Sequence, residues 1–359
     1  MAGLQAHIEM ARSALDEGVE TPQAVIDALT DVALFSPANI SYRVLGRLSG
    51  EGVSKHGLFA AAGALANGIR TLLNRPHAAR IIEGLDSDPT TPYWLKAIKY
   101  IANGNLEAVL DEYLHHLEHD AVSGNMSDQS LLSLSHEAAS AISLRTSNLG
   151  IRDTSSSESN LRFVQGFAER YGSSRKQGDN KRLQEVRRAF NSPFWPFVLA
   201  STSVGQEGID FHWWCHAIFH WNTPPNPVDF EQREGRVDRY RGHAVRKNVA
   251  RKHGGTVLGT PGGGSPWVKL YEAARDYESE YGHFTPNWAY PGDAKIERHV
   301  APFALSGDAA KYERLKRDLR LYRLTFGQPR QEDMLDMLRS RGLDRDPETL
   351  AALRLNLSP

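Results

Sequence analysis

The residues of this chain best suited to chemistry lie between Phe197 and Arg241. Ser201-Thr202-Ser203-Val204-Gly205-Gln206-Glu207-Gly208-Ile209-Asp210 closes a short apolar run, and Gln232-Arg233-Glu234-Gly235-Arg236-Val237-Asp238-Arg239 follows soon after. Gly205 and Gly208 permit positive φ or close approach of the backbone to a ligand. Asp210 can accept hydrogen bonds from a ribose hydroxyl or from an arginine. Arg236 and Arg239 are three apart and share a face if a helix continues through them. Paired guanidiniums are planar, permanently charged and able to bind bidentately, which suits a triphosphate. An arginine in that position stabilises charge on a phosphoryl group in transfer. The simpler reading is a solvated basic face. Residues 233–252 hold eight Lys or Arg against Glu234 and Asp238, and charge runs usually lie at the surface. The glycine loop that precedes this run sets it apart.

Several elements must position these groups. Phe197-Val198-Leu199-Ala200 has the look of a short buried strand ending in the loop at 201–210. Cys215 to Trp221 is expected to be the next strand. Asn226-Pro227 pairs a capping residue with proline at the first helical position, so a helix should deliver Gln232. Upstream, Leu161–Tyr171 is a candidate strand. A polar loop with Arg175 and Lys176 and a helix from Asp179 to Phe190 follow it. The succession is of βαβ type.

The order (S/T)-x-x-x-G-x-x-G-I-D and then Q-x-x-G-R-x-x-R resembles motifs V and VI of superfamily 2 helicases and translocases. With FNSPFWPFVLASTSVGQEGIDF, HWNTPPNPVDFEQREGRVDRYRGHAVRKN and LYRLTFGQPRQEDML, the chain is similar to the C-terminal half of bacterial helicase-related proteins, distantly of Swi/Snf type. The likeness covers roughly residues 160–250. It implies an α/β fold with a RecA-like parallel sheet, the second lobe of a two-lobed ATPase. It assigns Arg236 and Arg239 to the phosphates, with Arg239 as the finger, and Gln232 to a place near the γ-phosphate. Gly205, Gly208 and Asp210 would belong to the loop that couples nucleotide to nucleic acid. Ser201, Thr202, Arg175 and Lys176 would face the nucleic acid. Phe190-Asn191 matches a pair that commonly ends the helix before motif V.

A complete enzyme of this kind also needs a first lobe, with GxxxxGK(S/T) and an acidic box holding magnesium. No GK(S/T) occurs here. Asp111-Glu112 mimics the acidic box, but Leu106, Val109, Leu110, Tyr113, Leu114 and Leu117 around it repeat at helical spacing. ATP is therefore expected to be shared with a first lobe on a partner protein or another chain segment, which would also supply Mg2+. Nucleic acid, DNA ahead of RNA, is the other expected partner. The rival expectation is a non-catalytic nucleic-acid-binding or assembly module that keeps the lobe as a scaffold.

Three regions are expected: helical residues 1–150, the lobe at 151–252, and a helical C-terminal extension at 253–359. The Ser-rich stretch 152–160 and GGTVLGTPGGGSP at 254–266 are expected to be linkers. Asp308–Phe326 should be a helix, with Tyr312, Leu315, Leu319 and Tyr322 on one face and Lys311, Arg314, Lys316, Arg317, Arg320 and Arg323 on the others. The formal net charge is −1, so polyanion binding must come from local patches. A single cysteine, Cys215, suits a reducing compartment. No secretory signal or membrane span is expected, and the expected location is the cytoplasm.

Two histidine clusters carry weaker expectations. His212, Cys215, His216 and His220 do not converge as a tetrahedral zinc site would require, so no metal is expected. Trp213, Trp214 and Trp221 should pack in the core, and His115 and His119 should lie on a surface helix face.

Overall fold

The structure is a computed structural model. It describes residues 9, 12–13, 23–120, 126–144, 148–152, 160–164, 177–200, 210–258, 264–277, 282–303, 305–324, 331–343 and 346–352. The chain divides into two compact units, Met1–Ala139 and Ser140–Pro359.

The described part of the first unit is helical. α1 spans Gln23–Phe35, α2 Pro37–Ser49, α3 Lys55–Leu73, α4 Pro76–Leu85, α5 Tyr93–Asn103 and α6 Leu106–Asp120, and α7 begins at Asp128 and ends at Ile142. The boundaries follow local chemistry. Ser36 caps α2 by accepting from the Asn39 amide, with Pro37 at the first turn, and Ser54 caps α3 by accepting from the Gly57 amide. The apolar stripes of α2, α3 and α6 meet in a core of Ile40, Val44, Leu45, Leu65, Ile69, Leu110 and Leu114. The residues Asp31–Phe35, legible as either strand or helix, are the last turns of α1.

The acidic pair at 111–112 lies on α6, as its spacing indicates. Arg47 donates to Asp111 (Nη2–Oδ2 2.8 Å) and to Glu107 (2.8 Å), and Arg43 also binds Glu107. Burial pushes the Asp111 carboxyl up, against the pull of Arg47. These carboxylates are committed to arginines and not to a metal. His115 and His116 are buried, edge to face at 5.2 Å. The expectation of a surface face at His115 is thus corrected. The same helix surface carries Leu110, Tyr113 and Leu114 into the core.

The second unit mixes helices with two small sheets. β1 (Asn148–Arg152) and β2 (Asn160–Val164) form an antiparallel hairpin with Asn148 opposite Val164. α8 runs Gln177–Phe190, β3 Ala217–His220, α9 Pro227–Glu234, α10 His243–Leu258 and α11 Pro266–Arg275. β4 (Glu297–Val300), α12 (Asp308–Leu324), α13 (Gln331–Ser340) and α14 (Pro347–Ala352) follow. β3 and β4 pair in parallel, Ala217 opposite Glu297. This pair is the parallel sheet among the described residues, in an otherwise helix-rich unit.

Several expectations need correction here. Phe197-Val198-Leu199-Ala200 has no regular structure, and Phe197 and Val198 are 73% and 85% exposed. Pro193 and Pro196 just before it remove ladder donors, and no described strand lies alongside. The stretch at 254–266 is not all linker, because α10 carries on through Gly254 and Gly255 to Leu258. The β3 strand is shorter than Cys215–Trp221, and Trp221 is 68% exposed instead of packed in a core.

Candidate functional site

The site is organised around the meeting of residues 210–216 with the turn after α9. Asn226 starts α9, its side-chain oxygen accepting from the Val228 amide at 2.8 Å, with Pro227 in the first turn. Gly235 ends it, donating to the Glu231 carbonyl. Arg236 and Arg239 therefore do not share a helix face. They stand in a succession of turns, where the Val237 and Asp238 amides both donate to the Glu234 carbonyl. The physical reason is the glycine immediately before Arg236, a poor helix continuer.

That turn is sewn to the 210 region at three points. The Phe211 amide donates to the Arg236 carbonyl at 2.9 Å. The Arg239 guanidinium meets the Asp210 carboxylate at 2.8 Å. The Asn191 amide group donates to the Asp210 carbonyl at 2.6 Å. Beneath these contacts Phe190, Phe211 and Val237 form a buried cluster, with the two phenylalanine rings edge to face at 5.5 Å. Phe190-Asn191 thus supports the loop residue and its arginine partner from below.

The side chains of Asp210 and Arg239 meet, whereas Arg236 joins them through its backbone carbonyl and turns its side chain to the groove that it lines with Arg233. Gln232 is exposed on α9. Ser201, Thr202, Gly205, Gly208, Arg175 and Lys176 lie outside the described residues. Arg239 and Asp210 are half exposed, at 43% and 45%, and Arg239 Nε also donates to the Gly235 carbonyl. The Arg239 side chain is thus held close to its own turn, yet open to an anionic ligand. Arg236 and Arg233 line a groove of about 710 Å³ whose apolar walls include Phe190, Phe211, Ile218 and Cys215. Burial pushes the Cys215 thiol up, so it is not an activated nucleophile.

A second layer is built mainly from contacts between residues distant in the sequence. Glu234, between Gln232 and Arg236, forms a double contact with Arg298 of β4 and accepts from buried His220 at 3.3 Å. Burial alone would raise the Glu234 carboxyl; His220 and Arg298 outweigh it and hold it low. His220 stacks on Phe230 at 4.3 Å, and the Arg298 guanidinium lies over the same ring. Arg246 of α10 is wholly buried, donating to the carbonyls of Arg241 (2.9 Å) and Trp213, with its guanidinium over Trp214. The charge pattern alone places Arg246 in a surface basic run. Val245 and Val249 beside it, both buried, are the signal that could have set it apart.

The histidines serve as packing groups. His216 stacks on His243 at 4.7 Å. His212 and His243 are pushed down to about 4, by burial first, with Arg246 adding to it. Among the described residues, no group of three or more His, Cys, Asp or Glu is placed to hold a metal ion.

Residues 154–241 match the helicase conserved C-terminal domain. Both the Ser201–Asp210 and Gln232–Arg239 stretches fall inside that match, which supports a helicase C-terminal lobe over about a quarter of the chain. No curated protein and no solved structure matches the chain. Among the described residues, no helix is long and apolar enough to cross a membrane.

Proposed function

We propose that residues 151–252 act as the second RecA-like lobe of an ATP-dependent nucleic-acid translocase. The observation that carries this reading is the joining of Asp210 to Arg239 at 2.8 Å. It draws the end of the glycine loop and the arginine turn onto one surface. The domain match supports contact with nucleic acid, and DNA is the form proposed. Motifs V and VI of superfamily 2 are the assignments proposed for the two stretches.

The residues present fit a polyphosphate. Arg236 and Arg239 offer permanently charged donors, and Arg239 is open to solvent. They do not fit a magnesium ion: among the described residues no group of three or more His, Cys, Asp or Glu converges, and Glu234 is held by Arg298 and His220. Magnesium would therefore be held by a first lobe carrying a phosphate loop. ATP, when bound, supplies the phosphoryl group. Arg239 would leave Asp210 to meet the charge developing on that group, Arg236 would hold the neighbouring oxygens, and Gln232 would lie near the γ-phosphate. The Asp210–Arg239 pair then reports nucleotide occupancy to the 201–210 loop, which Ser201 and Thr202 would carry toward nucleic acid alongside Arg175 and Lys176.

The purified chain should show no nucleic-acid-stimulated ATP turnover, because no GK(S/T) is present. In a preparation reconstituted with the lobe that carries it, Arg239→Ala should lower the rate by a factor on the order of 10³ or more, with little loss of ATP binding. Arg239→Lys should also fail, since lysine lacks the planar fork. Robust turnover by the chain alone would overturn the shared-site reading. A near-normal Lys variant would remove Arg239 from the finger role.

A further inference from the structure

The residue after Arg239 is Tyr240, which is 44% exposed. Against it stands Trp288, 48 positions further along, with ring centroids 5.6 Å apart and planes at 71°. Trp288 is 55% exposed, and Phe284, one turn earlier, is 60% exposed. Large aromatic rings left open beside arginines are an unusual use of apolar surface.

Their meeting is enforced by Arg241. Its backbone sits at φ +51°, the left-handed region that a non-glycine residue occupies at a cost. Two hydrogen bonds to one residue hold it there: the Arg241 amide donates to the Asn287 carbonyl at 2.6 Å, and Nε donates to Asn287 Oδ1 at 2.9 Å. The guanidinium lies over the Tyr271 ring at 4.1 Å and over Tyr240 at 5.3 Å. Asn287 is the neighbour of Trp288, so this double hook fixes Trp288 beside Tyr240. Trp288 also lines a cleft of about 540 Å³ shared with Asp238 and Lys295, a size within the range of small-molecule sites. Burial and the neighbouring Glu234 raise the Asp238 carboxyl. Its oxygens are suited to exocyclic amines or ribose hydroxyls.

We propose that Tyr240 and Trp288 form a nucleobase-stacking site beside the arginine turn. Every base offers a π face, so stacking on such rings is strong and tolerant of sequence. The half-exposed guanidinium of Arg239, the residue before Tyr240, supplies the charge that a phosphate-linked base requires. The base is the adenine of a nucleotide or a base of a single strand, two sources of one chemistry. The inference rests on the polyphosphate and nucleic-acid reading above and extends it beyond the helicase-domain match, since Trp288 lies outside residues 154–241.

The test uses the full chain at low salt and two pairs of probes. One pair is a fluorescein-labelled 20-mer oligo(dT) and the same length with its central nucleotides abasic, read by anisotropy. The other is ADP and inorganic pyrophosphate, read by calorimetry. The base-bearing member of at least one pair should bind at least about fivefold more tightly. Trp288→Ala and Tyr240→Ala should each abolish that preference while leaving abasic or pyrophosphate binding unchanged, and Trp288→Phe should retain part of it. The oligomer pair identifies a strand base and the ADP pair a nucleotide base. Equal binding of both members in both pairs, with phosphate-driven binding intact, overturns the stacking site alone. A preference that survives both alanine variants does the same. Absence of binding by every probe overturns the stacking site, while the parent reading is decided separately by the Arg239 variants in the reconstituted preparation.

Discussion

At the scale of single residues, magnitudes separate what holds the site from what works in it. The Asp210–Arg239 pair is half exposed, so its contribution to stability is at most about 1 kcal/mol. A pair this weak can open for a ligand at little cost. Arg246 is the opposite case: it is wholly buried, and removing it takes away a donor to the Trp213 and Arg241 carbonyls. The buried histidines make a pH prediction. His212 and His243 titrate near 4 in the folded chain and near 6.5 when unfolded. Between those values the unfolded chain binds more protons, so stability falls as pH is lowered from about 6.5 toward 4. The full shift would cost about 2 kcal/mol per histidine between pH 7 and 5, and partial solvent access brings this to on the order of 1 kcal/mol. Urea unfolding followed by tryptophan fluorescence should show it. Six of the seven tryptophans lie in the second unit. His212→Gln combined with His243→Gln should flatten the pH 7 to 5 difference. An unchanged slope in that variant would mean that the histidines are open to solvent.

At the scale of elements, α9 has eight residues, too few to be stable by propensity alone. Its anchor is Phe230, 1% exposed and packed on Leu315 and Leu319 of α12. Phe230→Ala should cost about 3–5 kcal/mol, and Leu315→Ala about 2–5 kcal/mol. Because the two side chains share one cluster, the double variant should cost less than the sum of the singles. Strict additivity in denaturant midpoints would show that α9 does not depend on α12. The same pair shows what could be read from the sequence. The α12 stripe is legible from three- and four-residue spacing, and the α9 start from Asn226-Pro227, because both signals are local. Long-range pairing leaves no such trace. β4 and its parallel partner are four-residue strands, and the apolar run at 197–200 has the composition of a strand without a described neighbour to make it one. The arginine turn is recognisable by residue type, but its geometry is set by Gly235 and by Phe211 contacts across the chain. Trp288 is invisible for the same reason: only the Arg241–Asn287 hook brings it to Tyr240.

At the scale of the whole molecule, a formal net charge of −1 gives no general attraction for a polyanion, so any grip on nucleic acid must be local. Two helices of the second unit present exposed cations at helical spacing. Lys247 and Arg251 are four apart on α10, and Arg314 and Arg317 are three apart on α12, so each pair shares a face. Neighbouring cations on α12 are partly neutralised, as Lys311 is by Asp308 and Lys316 by Glu313. Among the described side chains of α12, this leaves Arg314 and Arg317 as the stronger candidates. Each phosphate neutralised contributes roughly −0.7 to −0.9 to the slope of log affinity against log salt. Single- and double-stranded DNA should therefore bind weakly and without sequence preference, with a steep salt dependence. Lys247→Glu with Arg251→Glu, or Arg314→Glu with Arg317→Glu, should flatten the slope by about 1 for each phosphate that the variant no longer neutralises. Titration of labelled DNA at several salt concentrations checks both helices at once. A slope lowered by the α10 pair alone would confine the grip to the helix that follows the arginine turn. A slope lowered by both would extend the nucleic-acid surface onto α12, whose Leu315 and Leu319 already hold α9 in place.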